Sequence, residues 1–236
     1  STLFPYTTLF RSRTGVSAVA AGNTAILKPS EFTPYTNRVV KDIIGAVFSA
    51  DEVAVVEGAA ETATALLSLP FDHIFFTGSP SVGKKVMAAA ALHLASVTLE
   101  LGGKSPAVVD VTADLRSAAQ HIIWGKMVNA GQTCIAPDYV YVHRDVADRF
   151  VDLCRSTIAE RYGQSDAAIK SSPDFPRMIH RRHAERVAQL IDEAVQSGSQ
   201  IVCGGASDAD SRYVAPTLLR DRKSTRLNSS HRTGSR

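Results

Sequence analysis

The stretch GQTCIAPD, residues 131–138, places Cys134 two residues after a glutamine and ahead of a proline-bounded turn. A cysteine thiolate attacks carbonyl carbon, so one reading of Cys134 is a nucleophile. The other is a small buried thiol, because free cysteines are among the most buried residue types. Thirty-four residues upstream, in VTLELGGKSP, Glu100 ends an alternating strand just before Gly102 and Gly103. Paired glycines let the chain turn sharply and let another segment come close. A carboxylate leaving such a turn is expected to be desolvated enough to serve as a general base, and a solvent-facing strand end is the alternative. In FFTGSPSVGKK, residues 75–85, Gly78 sits at a turn, Ser79 suits an N-cap and Pro80 the first helical position. The N–H groups and dipole of a helix start attract a phosphate. The stretch lacks the three spaced glycines of the usual dinucleotide fingerprint, so a plain cap without ligand stands beside that reading. In AGNTAILKPSEFTP, Lys28 and Glu31 follow a strand stopped by proline, where an acidic residue can accept from ribose hydroxyls. A Lys–Glu surface pair is the competing explanation.

These residues need elements to hold them. Short β-branched or aromatic runs alternate with longer helical patterns. TAILK (24–28), VAVV (53–56) and HIFF (73–76) read as strands. Helices are expected over about 34–48, 61–69 and 80–92. Such alternation implies βαβ units and a doubly wound parallel sheet of the nucleotide-binding type over 13–98. The second half repeats it: strands near 107–109 and 139–143, and helices near 114–128, 145–161 and 178–197. This predicts a second α/β domain over 99–220.

The two ends read differently. DRKSTRLNSSH (221–231) and TLFPYTTLFRS (2–12) both back-translate to strings resembling short-read sequencing adapters, so 1–12 and 221–236 are read as non-native. Arg11 adds one positive charge and residues 221–236 add a net four. The formal net charge of +3 therefore becomes −2 for 13–220. No nucleic-acid partner is expected from that balance, and RMIHRRHAER (177–186) reads as a solvated helix face. Three cysteines without paired spacing suit a reducing, cytoplasmic setting. No apolar run reaches the roughly 18 residues of a membrane span. No metal is expected.

Together, AAGNTAILKPSE, FFTGSPSVGK, LELGGKSP and GQTCIAPD resemble four successive signatures of the aldehyde dehydrogenase superfamily, over essentially all of 13–220. EFTP, HIFFTGS, VTLELGGKSP and CIAPDYV resemble the branch acting on medium-chain, aromatic and fatty aldehydes. The resemblance implies that Cys134 attacks an aldehyde, that a thiohemiacetal then becomes a thioester, and that Glu100 activates the water releasing a carboxylic acid. It implies that Lys28 and Glu31 hold the adenosine ribose of NAD or NADP, with NAD favoured by the charge of Glu31. Gly78 and Ser79 would hold the pyrophosphate, and Leu101 would join the cofactor contacts. Cys154 and Cys203 match no motif and are read as structural. The resemblance also implies that 13–98 is the NAD(P)-binding domain and 99–220 the catalytic domain, both incomplete, and that the intact protein is a homodimer.

Two family segments are absent: Pro-Trp-Asn, due upstream of Arg13, and Glu-Ile-Phe-Gly-Pro, due after YVAPTLLR. VVEGAAETATALL also lacks the spaced glycines that many members carry. The chain alone is therefore expected to be inactive. An acylating enzyme that releases the thioester to coenzyme A is an alternative, opposed by Glu100. A non-catalytic homologue and a plain nucleotide-binding module are the others.

Overall fold

The computed structural model describes residues 15–221; the expectations for 1–12 and for most of 221–236 lie outside them. The chain forms two compact units, which divide between Gly102 and Gly103.

In the first unit, residues 15–20 are helical. There follow β1 (Ala25–Leu27), α1 (Pro34–Val47), β2 (Val53–Val55), α2 (Ala60–Leu67), β3 (His73–Gly78), α3 (Pro80–Ala91) and β4 (Ser96–Leu101). β1 and β2 pair in parallel, with Ala25 opposite Val53 and Leu27 opposite Val55. β3 and β4 pair in parallel from His73 opposite Ser96 to Gly78 opposite Leu101. Alternation along β3 buries Ile74 and Phe76. On α3, Gly83, Val86 and Ala90 are spaced to lie on one face and are buried. Ile74, Phe76, Val86 and Ala90 share a core with Leu66 and Phe71, and Ile26 and Val56 pack on it, so both strand pairs rest on one apolar cluster.

The second unit holds β5 (Ser105–Val109), α4 (Leu115–Met127), β6 (Pro137–Val142), α5 (Ala147–Tyr162), α6 (Asp166–Ser171) and α7 (Arg181–Gln196). Four short strands follow: β7 (Gln200–Cys203), β8 (Ser207–Asp208), β9 (Tyr213–Val214) and β10 (Leu218–Arg220). β5 and β6 are parallel. Asp114 caps α4, its carboxylate accepting from Arg116 N and Ser117 N. Leu115, Ala119, Ile123 and Met127 recur every four residues on α4 and are buried against Val109, Phe150, Cys154, Ile158 and Tyr213. The expected α/β alternation runs through α5, and α6 and α7 then follow with no strand between them. Beyond α7 the chain turns to antiparallel pairs, β7 with β10 and β8 with β9. The sequence reading missed these pairs and α6. Strands of two to four residues leave too short a pattern for alternation to register.

Candidate active site

Cys134 lies in the second unit on a turn closed by Ala136 N donating to Thr133 O at 3.1 Å. It is exposed, whereas Cys154 is buried and Cys203 half-buried. The turn follows three left-handed residues, Asn129 (φ 54°), Ala130 (φ 53°) and Gly131 (φ 76°). Glycine takes this conformation freely, but alanine does not. The main chain passes close to Gly103, where an added Cβ would stand 2.6 Å from the Cys134 carbonyl oxygen. The paired glycines do admit a close approach, and what approaches is the backbone of the cysteine itself. Asp138, just beyond the turn, receives Lys104 Nζ at 3.0 Å and Lys126 Nζ at 3.6 Å, linking β5, α4 and β6 around it.

Burial pushes the Cys154 thiol up to about 12, with the neighbouring Cys203 adding to the effect. Burial raises Cys203 as well. Both thiols are therefore held protonated and unreactive at neutral pH.

In the first unit, Glu100 occupies the penultimate position of β4, opposite Thr77. Its side chain is exposed, which corrects the expectation of a desolvated carboxylate. β4 pairs with β3 alone among the described residues, so its other edge has no strand partner there. Leu101 points the other way: its Cδ2 lies 3.1 Å from where a Gly83 Cβ would be, so its side chain packs beneath α3. At the start of α3, Ser79 Oγ accepts from Val82 N at 3.4 Å and Pro80 occupies the first turn. Gly78 has no room for a side chain, since a Cβ would meet the Phe76 ring at 2.5 Å.

Lys28, immediately after β1, is 3 % exposed. Its ammonium donates to Pro29 O at 3.0 Å and lies 3.6 Å from Glu31, whose carboxylate is partly open to solvent. The intervening turn is stitched to α1 by Asn37, a buried amide that donates to Ser30 O at 2.7 Å and receives Thr33 Oγ1 at 3.0 Å. Sequence reasoning gave Asn37 no role, although an amide on an otherwise apolar helix face was a usable signal. It also gave none to Gln132, whose partners lie 45 and 47 residues away.

Two cavities of about 510 Å³ open in the second unit. One is lined by Trp124, Met127, Val128, Asn129, Tyr162 and Pro176, beside the left-handed run that leads to Cys134. The other lies between α5 and α6 and reaches Arg155, Gln164 and Cys203. No helix among the described residues is long and apolar enough to cross a membrane.

The sequence model of the aldehyde dehydrogenase family matches residues 4–228. The chain is 47% identical over 216 residues to 4,4'-diaponeurosporen-aldehyde dehydrogenase of Staphylococcus aureus, covering 92% of the chain and 45% of that relative. It is 44% identical over 206 residues to aldehyde dehydrogenase family 3 member A2 of Rattus norvegicus, covering 87% and 41%. A solved structure described as the substrate bound state of Staphylococcus aureus AldH superposes with a TM-score of 0.81 at 44% identity, over 95% of this chain and 49% of that one. An Escherichia coli NADP dependent enzyme superposes with a TM-score of 0.85 at 29% identity, covering 95% and 48%. The chain thus spans a little under half the length of the curated relatives it matches. With nearly its whole length matched in sequence and in fold, the chain belongs to the aldehyde dehydrogenase family.

Proposed function

We propose that this chain carries the nucleophile and the general base of an NAD(P)-dependent oxidation of aldehydes to carboxylic acids. The observation that carries the reading is the contrast among the three cysteines: Cys134 is exposed on a held turn, Cys154 is buried and Cys203 half-buried. Residues 13–98 serve as the cofactor-binding domain and 99–220 as the catalytic domain.

The first unit fits a nicotinamide dinucleotide. The buried Lys28 ammonium has three donors. The described residues offer it one hydrogen bond, to Pro29 O, and the Glu31 carboxylate nearby, so a ribose hydroxyl suits what remains. Gly78 and Ser79 at the start of α3 would hold the pyrophosphate. The Glu31 carboxylate opposes a 2′-phosphate, which favours NAD. When bound, the nicotinamide supplies the hydride acceptor.

The chain's own residues do the rest. The Cys134 thiolate adds to the aldehyde carbon, and its backbone N–H donates to the developing oxyanion. Loss of hydride from that thiohemiacetal leaves a thioester on Cys134. Glu100 takes a proton from the water that attacks it, the carboxylic acid departs and the thiol is regenerated. An exposed Glu100 can reach water directly. The cavity beside Asn129 joins Trp124, Met127 and Tyr162 with the charged Arg161 and Asp174, and its apolar members suit the chain or ring of a medium-chain, aromatic or fatty aldehyde.

The test is protection. A fatty aldehyde should slow alkylation of Cys134 by iodoacetamide, read peptide by peptide, and leave Cys154 and Cys203 unchanged. Equal alkylation of Cys134 with and without aldehyde would remove the nucleophile assignment. Because the chain spans under half of its relatives, we expect no aldehyde-dependent NADH from it alone; turnover abolished by Cys134→Ala would overturn that expectation.

A further inference from the structure

We propose that Gln132 is a positioning residue for Cys134, a clamp that ties the nucleophile's turn to a distant strap formed by residues 173–180. The proposal rests on the reading of Cys134 given above.

Both ends of the Gln132 amide are used. Its Nε2 donates to Asn129 O at 2.9 Å and to Arg177 O at 3.3 Å. Its Oε1 accepts from Ile179 N at 2.9 Å. The main chain adds Gln132 N to Asn129 O at 3.1 Å, and Asn129 Nδ2 donates to Gln132 O at 3.3 Å. One planar side chain therefore closes the left-handed run at Asn129–Gly131 and fastens it to the strap. That run contains Ala130, which has no conformational reason of its own to stay left-handed, so the bonds that close the turn must hold it there.

The strap is itself anchored. Met178 N donates to Arg212 O at 2.9 Å, and Arg212 Nη1 donates to Ile179 O at 3.3 Å. Arg177 donates to Phe175 O at 3.2 Å and also to Lys170 O, and its guanidinium lies 5.1 Å over the Tyr213 ring. Phe175 is 4 % exposed and meets Tyr213 edge-on at 6.0 Å between centroids. The clamp thus refers the position of Cys134 to the core through β9 as well as to its neighbours in sequence. The role demands glutamine. A carboxylate keeps the acceptor for Ile179 but faces two carbonyl oxygens without a donor, and asparagine is one methylene shorter.

The experiment uses the 236-residue chain and reads the rate at which a dipyridyl disulfide, which works in acid, modifies Cys134. Gln132→Met keeps the length and removes every side-chain hydrogen bond. Gln132→Glu keeps the shape and loses the donor until its carboxyl is protonated. At neutral pH each variant should modify Cys134 about fivefold more slowly than the unsubstituted chain, the scale of one or two lost hydrogen bonds. Near pH 4, where about two-thirds of an ordinary glutamate is protonated, and increasingly below it, Gln132→Glu should recover toward the unsubstituted rate, and Gln132→Met should not. An unchanged rate in Gln132→Met, or a deficit in Gln132→Glu that is the same in acid as at neutral pH, would overturn the clamp. If Gln132→Met does not fold, the acid rescue of Gln132→Glu decides alone. Should Cys134 of the unsubstituted chain react no faster than a small free thiol, the nucleophile reading falls, while the ratio of variant to unsubstituted rates still judges the clamp.

Discussion

At Gly103 one methyl group decides whether the Cys134 turn keeps its place. The added carbon would lie 2.6 Å from a main-chain oxygen, which cannot rotate aside as a side chain can. At the adjacent Gly102 nothing lies within 4 Å of an added Cβ. Gly103→Ala should therefore lower the urea midpoint by an amount equivalent to about 1–3 kcal/mol and slow Cys134 alkylation, as forced overpacking does. Gly102→Ala should leave both measurements close to those of the unsubstituted chain. Equal effects from the two substitutions would show that backbone freedom, rather than the contact with Cys134, governs this turn. The doublet was legible as a place of close approach, but which glycine is in contact, and with what, was not: the two occupy adjacent positions and differ only in what stands opposite. Glu100 teaches the same lesson in reverse. Its strand-end position could be read from the pattern, but its exposure depends on whether a neighbour covers β4.

Among the elements, legibility followed punctuation. α1 and α3 begin at prolines and α4 after a capping aspartate, and these starts fall where the residue types place them. Nothing of that kind marks β7–β10 or the six-residue α6, which are fixed by contacts made across the fold. One such contact joins α6 to β8, where Lys170 Nζ meets Asp208 Oδ2 at 2.7 Å. Donation from Lys170, then from the Ser211 hydroxyl and the Ser211 N–H, holds the Asp208 carboxyl well below the usual carboxylate range. A depressed folded value stabilises the fold above the unfolded value of about 3.9, and this contribution is lost as the pH falls from there through the folded value. Asp208→Asn should accordingly lower the urea midpoint at neutral pH, and its difference from the unsubstituted chain should shrink steadily below about pH 4. A difference that stays constant into acid would mean that the carboxylate charge contributes nothing and that only its shape matters.

For the molecule as a whole, the informative surface is α1, which carries apolar residues on two stripes. The stripe of Asn37, Val40, Ile44 and Phe48 faces inward and is at least half-buried. The second, Tyr35, Val39, Ile43 and Val47, recurs every fourth residue and is 79%, 57%, 58% and 67% exposed. A row with that spacing lies along a single side of a helix. Exposed large apolar residues scattered singly are ordinary, but four in register form a patch of the kind that soluble monomers seldom leave open. Among the described residues the stripe is left uncovered, and a second copy of the chain offers it an apolar partner of the same kind. The hydrophobic effect favours that pairing as concentration rises. Sedimentation should accordingly show self-association that grows with loading, and the paired substitution Val39→Lys and Ile43→Lys should return the chain to monomer. Both positions point away from the stripe that packs inward, so the urea midpoint should stay close to that of the unsubstituted chain. Cys134 lies in the other unit, and its alkylation rate should be unaffected. If the unsubstituted chain sediments as a monomer at every loading, the stripe is not a contact surface; if the lysines unfold the first unit, α1 buries that face after all.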